Sequence, residues 1–460
     1  MFRIEPKLKP SRWEAILLTI SVLAIIGISI IGFDSAPHIP IIISILVLIL
    51  YGMIKGLSFN ELQDGMVQGA QAAIGAIFLF FFIGILISSW ILGGTIPTLM
   101  DIGLRLVIPH FYYGVIFIIT SVIGLCIGSS LTTAATIGAT FIGISSALGL
   151  SLPITAGAVI SGAFFGDKMS PLSDTTNLAA SIANVDLFEH IKDMGWTTIP
   201  AFIITVALFA SLSPAEVQTN IGQLDEFRHA LKGTGMVNWY SIIPFMILVV
   251  LSVKKTPAII ALAVSSVSAI GLSFLHIKEQ TLSSLFEVLY SGYMSQTGNQ
   301  EIDALLTRGG IESMMFTVSL ILLALSMGGL LFKLGIIPKL LSQIESKLNS
   351  VGSIITATAV TCIMINFLTG EQYLSIILTG ETYESQFSKA GISNRNLSRV
   401  LEDAGTVVNP LVPWGVCGTF LTNVLGIPTI QYAPFAFFCL LCPLLTILYG
   451  WTGWTIKEKA

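Results

Sequence analysis

Between Gly162 and Asn177 the chain gathers Asp167, Ser170, Ser173, Asp174, Thr175 and Asn177 around a single proline, Pro171. The residues before this cluster, 106–166, include no Asp, Glu, Lys or Arg. Asp167 and Asp174 are seven positions apart, which would set both carboxylates on one face of an unbroken helix. Pro171 opposes such a helix: it has no N–H, and its ring clashes with the carbonyl four residues back, that of Asp167. Carboxylates, hydroxyls and a released carbonyl are hard oxygen ligands suited to Na⁺.

The second half of the chain holds a related set. Glu402 and Asp403 are followed by an uncharged run, 404–456, within which Asn409, Pro410 and Pro413 form another break. The same reasoning predicts freed carbonyls at Thr406 and Asn409, with Asp403 and Asn409 as side-chain ligands. Two hydroxyl-rich interruptions fall inside other uncharged stretches, Ser129, Ser130, Thr132 and Thr133 in one and Thr369 beside Glu371 in the other. They read as hairpin tips; the serines and threonines have no His–acid partner that would make one a nucleophile. The competing reading puts Asp167 and Lys168 at an ordinary helix end, with solvated acids. Against it, residues 178–183 continue largely apolar, and the next polar cluster starts only at Asp186.

What must position these groups is a membrane bundle. The chain has 460 residues, 54% hydrophobic and 10% charged, with 22 Lys and Arg against 26 Asp and Glu. Soluble domains carry about 25% charge. The composition excludes a water-soluble globule, a disordered chain, a nucleic-acid binder and a disulfide scaffold. A helix needs about 20 apolar residues to cross the hydrocarbon core, and the uncharged windows accommodate about 11–13 crossings, some of them broken or re-entrant. The fold class is therefore an all-α polytopic membrane protein, in contact with lipid. Irregular backbone at membrane depth survives only where protein or a water-filled cavity surrounds it, and charges there are costly and functional by default. Arg3, Lys7, Lys9 and Arg12 precede the first span while 33–38 has no Lys or Arg. The expected location is the cell membrane, multi-pass, with a cytoplasmic N-terminus and a retained first helix.

Landmarks recur at an offset near 240. Gly94-Thr95-Ile96-Pro97 is matched by Gly335-Ile336-Ile337-Pro338, the hairpin hydroxyls by Asn366–Glu371, and Asp167 with Pro171 by Asp403 with Pro410. Duplicated halves with broken helices at corresponding places are a pattern of secondary transporters. The division expected is 1–71 for the N-terminal helices, 72–214 for one repeat, 215–311 for polar connections with two linking helices, and 312–460 for the second repeat. The polar segment 277–312 is expected to be a solvated interfacial helix. The five Cys lie in apolar runs and the five His fall singly, so neither metal spacing nor enzyme chemistry is evident. The 27 Phe and 13 Met are expected to pack against lipid.

The unbroken run Gly166-Asp167-Lys168-Met169-Ser170-Pro171-Leu172-Ser173-Asp174-Thr175-Thr176-Asn177 resembles the signature of the NhaC family of Na⁺/H⁺ antiporters. Leu305–Met315 is similar to a second family segment that precedes a helix. The resemblance covers nearly the whole chain. It implies two inverted repeats, each with a re-entrant hairpin and a broken helix. Na⁺ and H⁺ are then transported ions rather than cofactors, and the chain is not an enzyme. The family also includes exchangers of malate for lactate and suspected amino-acid carriers, so a small organic anion or an amino acid is the alternative cargo. No arginine stands out within the membrane core to hold a substrate carboxylate, which tilts the expectation toward cation exchange. Asp167 and Asp174 are expected to bind Na⁺ when ionised and H⁺ when protonated, with Asp403 as a further ligand. A homodimer stays open as the assembly.

Overall fold

The computed structural model describes residues 4–33, 35–71, 73–106, 111–214, 228–254, 256–276, 281–344 and 350–458. Arg3, position 72 and most of the 215–237 connection lie outside the described residues. Among the described residues all regular elements are helical, as the composition requires. Six helices are singly long and apolar enough to cross a membrane: Arg12–Ile30, Ile74–Leu92, Leu187–Leu212, Ala258–Leu275, Gly310–Lys333 and Val351–Thr369. Shorter apolar helices include His38–Ile54, Tyr112–Ile127, Trp239–Val253 and Val416–Leu425.

From Ile74 and from Gly310 the chain runs through comparable elements. A long apolar helix ends at a glycine with positive φ, Gly94 (+76°) or Gly335 (+70°), and a short amphipathic helix follows, Thr95–Leu106 or Ile336–Ile344. Next comes a hairpin. Tyr112–Ile127 stops at Gly128 (φ +69°) and Ser130–Thr133 restarts it; Val351–Thr369 stops at Gly370 (φ +70°) and Gln372–Lys389 restarts it. The left-handed turn is what requires glycine there. The residue after each glycine is extended and caps the returning helix: Ser129 Oγ accepts the Thr132 N–H, and a Glu371 carboxylate oxygen accepts the Leu374 N–H at 2.7 Å.

The broken helices follow. Leu152–Met169 ends because Ser170, the residue before Pro171, is held extended (ψ 129°), and Ser173 caps the restart over Asp174–Ile182. In the other half, Asn394–Leu401 continues through a π-helical turn at Glu402–Thr406 and a short turn at Asn409–Leu411. Val412, before Pro413, is extended (ψ 112°), and Val416–Leu425 restarts. Each hairpin glycine packs on the break of its own half. A Cβ on Gly128 would lie 2.6 Å from Leu172 Cβ, and one on Gly370 would lie 3.1 Å from the Trp414 carbonyl oxygen.

The returning arm of the second hairpin runs to Lys389, carrying Glu381 and Glu384 on a helix only partly enclosed. Two expectations are corrected. The 277–312 segment contains two short helices, Leu282–Ser291 and Gln300–Leu306, rather than one, and Leu285, Ile302 and Leu306 are buried against the bundle. Many phenylalanines are internal: Phe80, Phe117, Phe164, Phe209, Phe387, Phe420 and Phe438 are fully enclosed, since inner helices of so many-layered a bundle have no lipid-facing side.

Candidate ion-binding site

Helix Leu152–Met169 reaches the centre by close packing on Tyr112–Ile127. A Cβ on Gly166 would meet the Gly124 backbone carbonyl carbon at 2.4 Å, so the two backbones touch through glycines, a small-residue contact of the kind membrane helices use. The next residue, Asp167, is thereby buried, 3% exposed, and its Oδ1 has no hydrogen-bond partner. Ser130 from the hairpin tip and Ser173 from the break adjoin it. Because the helix breaks, Asp174 does not share a face with Asp167; it sits at the start of the next segment and is exposed to cavities.

Asp174 lines two of them. One, about 310 Å³, includes Gly128, Ser129, Thr132 and Leu172; the other, about 440 Å³, includes Leu131, Glu371, Gln372 and Tyr373. Asp174 therefore stands between the hairpin tips of the two halves. Its Oδ2 accepts the Tyr373 hydroxyl, and its Oδ1 accepts the N–H of Thr175 at 2.9 Å. Helices begin at Asp174, Gln372 and Val416, and all three residues line the second of these cavities.

Other predicted residues are committed elsewhere. Asp403 forms an ion pair with Lys168, both side chains fully enclosed, and also accepts the hydroxyls of Thr197 (3.1 Å) and Thr446 (2.5 Å). Asn409 is a structural stitch: its amide donates to Asn366 Oδ1 (2.8 Å) and the Gly370 carbonyl (3.1 Å), and its oxygen accepts the Cys417 N–H (2.8 Å). Asn177 donates to the carbonyls of Pro171 and Ser173. Thr133 and Thr369 donate to carbonyls of their own segments, Ser129 and Ile365. Ser170 uses its hydroxyl on the Leu172 N–H, and Thr175 turns toward Glu402.

The freed carbonyls expected at Asp167 and Asn409 are taken. The Ser170 N–H bonds to the Asp167 carbonyl at 3.0 Å and the Val412 N–H to the Asn409 carbonyl at 3.1 Å, because the chain tightens before it extends. Neither carbonyl is therefore left without a hydrogen bond.

Several groups escaped the sequence reading. Lys168 has no role in the sequence reading, although an ammonium at the close of so long an uncharged run signals a buried partner. Glu402 is fully buried beside Thr175, Thr176 and Thr406. An internal arginine also exists: Arg399 is 1% exposed and faces Asp193 (3.4 Å), which Lys457 meets at 2.7 Å.

The chain has relatives among known proteins. Residues 162–454 match the model of the Na⁺/H⁺ antiporter family. The chain is 40% identical to the Na⁺/H⁺ antiporter NhaC of Alkalihalophilus pseudofirmus, over 95% of each chain. It is 38% identical to NhaC of Bacillus subtilis, over 90% of this chain and 92% of that one. It is also 34% identical to the arginine/ornithine antiporter ArcD of Halobacterium salinarum, over 99% of this chain and 95% of that one. With a family model over residues 162–454 and relatives at this identity over nearly the whole chain, the chain belongs to the Na⁺/H⁺ antiporter family.

Proposed function

We propose that this chain exchanges Na⁺ for H⁺ across the cell membrane by alternating access, with Li⁺ as a second accepted cation and the N-terminus cytoplasmic. Asp167 and Asp174 bind Na⁺ when ionised and H⁺ when protonated, so the two cations compete for the same oxygens and their fluxes are coupled without covalent chemistry. Ser130, Ser173 and the hairpin tips at Ser129 and Glu371 complete the site. The halves work as inverted repeats, rocking about this centre to turn access from one side of the membrane to the other.

The observation that supports this most is the placement of Asp174 between two cavities, with Asp167 buried behind it carrying an unpartnered oxygen. Lys168 is already neutralised by Asp403 and is not free to compensate them. The test is an everted-vesicle assay: a preformed pH gradient should collapse on adding Na⁺ or Li⁺, and K⁺ should have no effect. A second reading, amino-acid or organic-anion exchange on the same Na⁺ site, rests on the similarity to the arginine/ornithine antiporter. Uptake of labelled arginine, malate and lactate into proteoliposomes separates the two; Na⁺-dependent flux of any of them would favour the second.

A further inference from the structure

Arg308 is an internal cation without a counter-ion. The residue keeps partial exposure, but its Nε is sealed from solvent and has no hydrogen-bond partner. Lys168, Lys333 and Arg399, the most enclosed of the paired cations, each face a carboxylate. Among the described residues no carboxylate pairs with Arg308. Asp303, on the preceding helix Gln300–Leu306, spends its oxygens on the Ser295 hydroxyl (2.7 Å) and the N–H groups of Thr297 (2.8 Å) and Gly298 (3.2 Å). Glu287 and Glu312 are exposed. Burial works against the guanidinium charge, and no acid offsets it. A charge so placed is costly until something supplies its opposite.

The backbone gives this arginine a fixed seat. Its carbonyl accepts the Tyr293 N–H at 3.1 Å across an antiparallel bridge, and Gly309 (φ +89°) and Gly310 (φ +79°) turn the chain into helix Gly310–Lys333. A Cβ on Gly309 would lie 2.6 Å from the Ser88 backbone nitrogen, and one on Gly310 would lie 2.3 Å from that of Gly292. The turn is therefore pressed between helix Ile74–Leu92 and the end of helix Leu282–Ser291.

Helix Gly310–Lys333 has 24 residues and is about 36 Å long, against about 30 Å of hydrocarbon, so its ends reach the lipid headgroups. Arg308 stands just before one of those ends. The surface beside it is apolar and exposed. Leu282, Phe286 and Tyr290 form one stripe of helix Leu282–Ser291, and Met315 and Phe316 are exposed on the first turns of the neighbouring span. Such a face suits acyl chains, with Tyr290 at the interface. Arg308 lines neither cavity that Asp174 borders, so a transported solute does not account for it. We propose that Arg308 binds the phosphodiester of a bilayer phospholipid whose chains lie along the Leu282–Tyr290 stripe. The guanidinium offers phosphate oxygens a planar fork, and the phosphate supplies the missing counter-charge. The bound headgroup pins helices Ile74–Leu92 and Gly310–Lys333 near their contact at Gly84 and Gly310, and both helices line the second Asp174 cavity, through Leu79 and Leu325.

This inference goes beyond the Na⁺/H⁺ reading and is tested without transport. Purified protein, stripped of lipid in a non-ionic detergent, is titrated with labelled phosphatidylglycerol. The wild type should bind it saturably. A galactolipid with the same chains and no phosphate should compete poorly, and so should inorganic phosphate, which has no chains. Arg308→Gln should weaken binding about tenfold or more. Arg308→Lys, which keeps the charge without the fork, should weaken it severalfold. Lys389→Gln, at an exposed lysine elsewhere, should bind as the wild type does. The inference is overturned if Arg308→Gln binds as tightly as the wild type, or if Lys389→Gln weakens binding equally. It is also overturned if the galactolipid competes as well as unlabelled phosphatidylglycerol, or if inorganic phosphate displaces the lipid at equal concentration. Both competitions use the wild type, so they decide the matter even where a variant does not fold.

Discussion

Lys168 and Asp403 come from the broken helices of opposite halves and meet as an ion pair from which solvent is wholly excluded. Thr197 and Thr446 add hydroxyls to the carboxylate, so the aspartate is satisfied and the ammonium has one counter-ion. Removing one member leaves an uncompensated charge in the interior, at a cost of about 3–5 kcal/mol. Lys168→Met and Asp403→Asn should each lower the thermal midpoint in detergent sharply, and the double variant should be more stable than either single one. A double variant that is the sum of the two losses would refute the pairing.

Asn409 closes the second hairpin on the second break. Replacing it with Ala strands the Cys417 N–H and the Asn366 amide oxygen in a dry interior, about 1–3 kcal/mol for each group. Asn409→Asp keeps the acceptor for Cys417 but sets a carboxylate against the Gly370 carbonyl and Asn366 Oδ1, so it should rescue nothing. Thermal unfolding of the two variants checks this.

Gly166→Ala should destabilise by about 1–3 kcal/mol, since its Cβ has no room against the Gly124 backbone and neither backbone can yield cheaply. Gly271→Ala, also helical but with open space around it, should gain up to about 1 kcal/mol from backbone entropy alone. Opposite signs in one melting experiment would separate packing from helix propensity.

Asp64 lies on helix Phe59–Gln71, outside the candidate spans, where the Lys333 ammonium at 2.7 Å and the Gln68 amide at 2.8 Å hold its carboxyl below the usual value of 3.8. A carboxyl depressed on folding adds stability that is present above its unfolded value and lost as pH falls through the folded one. The stability gap between wild type and Asp64→Asn should therefore be constant from neutral pH down to mildly acidic pH. It should begin to close near pH 3.8 and vanish below it. Melting curves over a pH series follow it directly.

The sequence was most readable where constraints are local. Pro171 and Pro413 dictate an extended residue before them, and Ser170 and Val412 are extended. Gly128 and Gly370 mark the hairpins because only a left-handed residue turns the chain there. What was hidden depends on contacts across the chain. Lys168 and Asp403 are far apart in sequence, and nothing near either names the other. Glu402 and Asp403 are neighbours, yet the π-helical turn sends one to the Thr175 hydroxyl and the other to Lys168. The carbonyls of Asp167 and Asn409 are not left free for a similar reason: proline removes one hydrogen bond, but the Ser170 and Val412 N–H groups close the gap by a tighter turn.

The central claim is that Na⁺ and H⁺ compete for Asp167 and Asp174. It is tested most directly by the concentration of Na⁺ that half-saturates exchange in proteoliposomes, measured across a pH series for wild type, Asp167→Asn and Asp174→Asn. Competition predicts that this concentration falls as pH rises while the saturated rate stays level, and that both variants lose exchange. A half-saturating concentration independent of pH, or full exchange in either variant, would contradict the account.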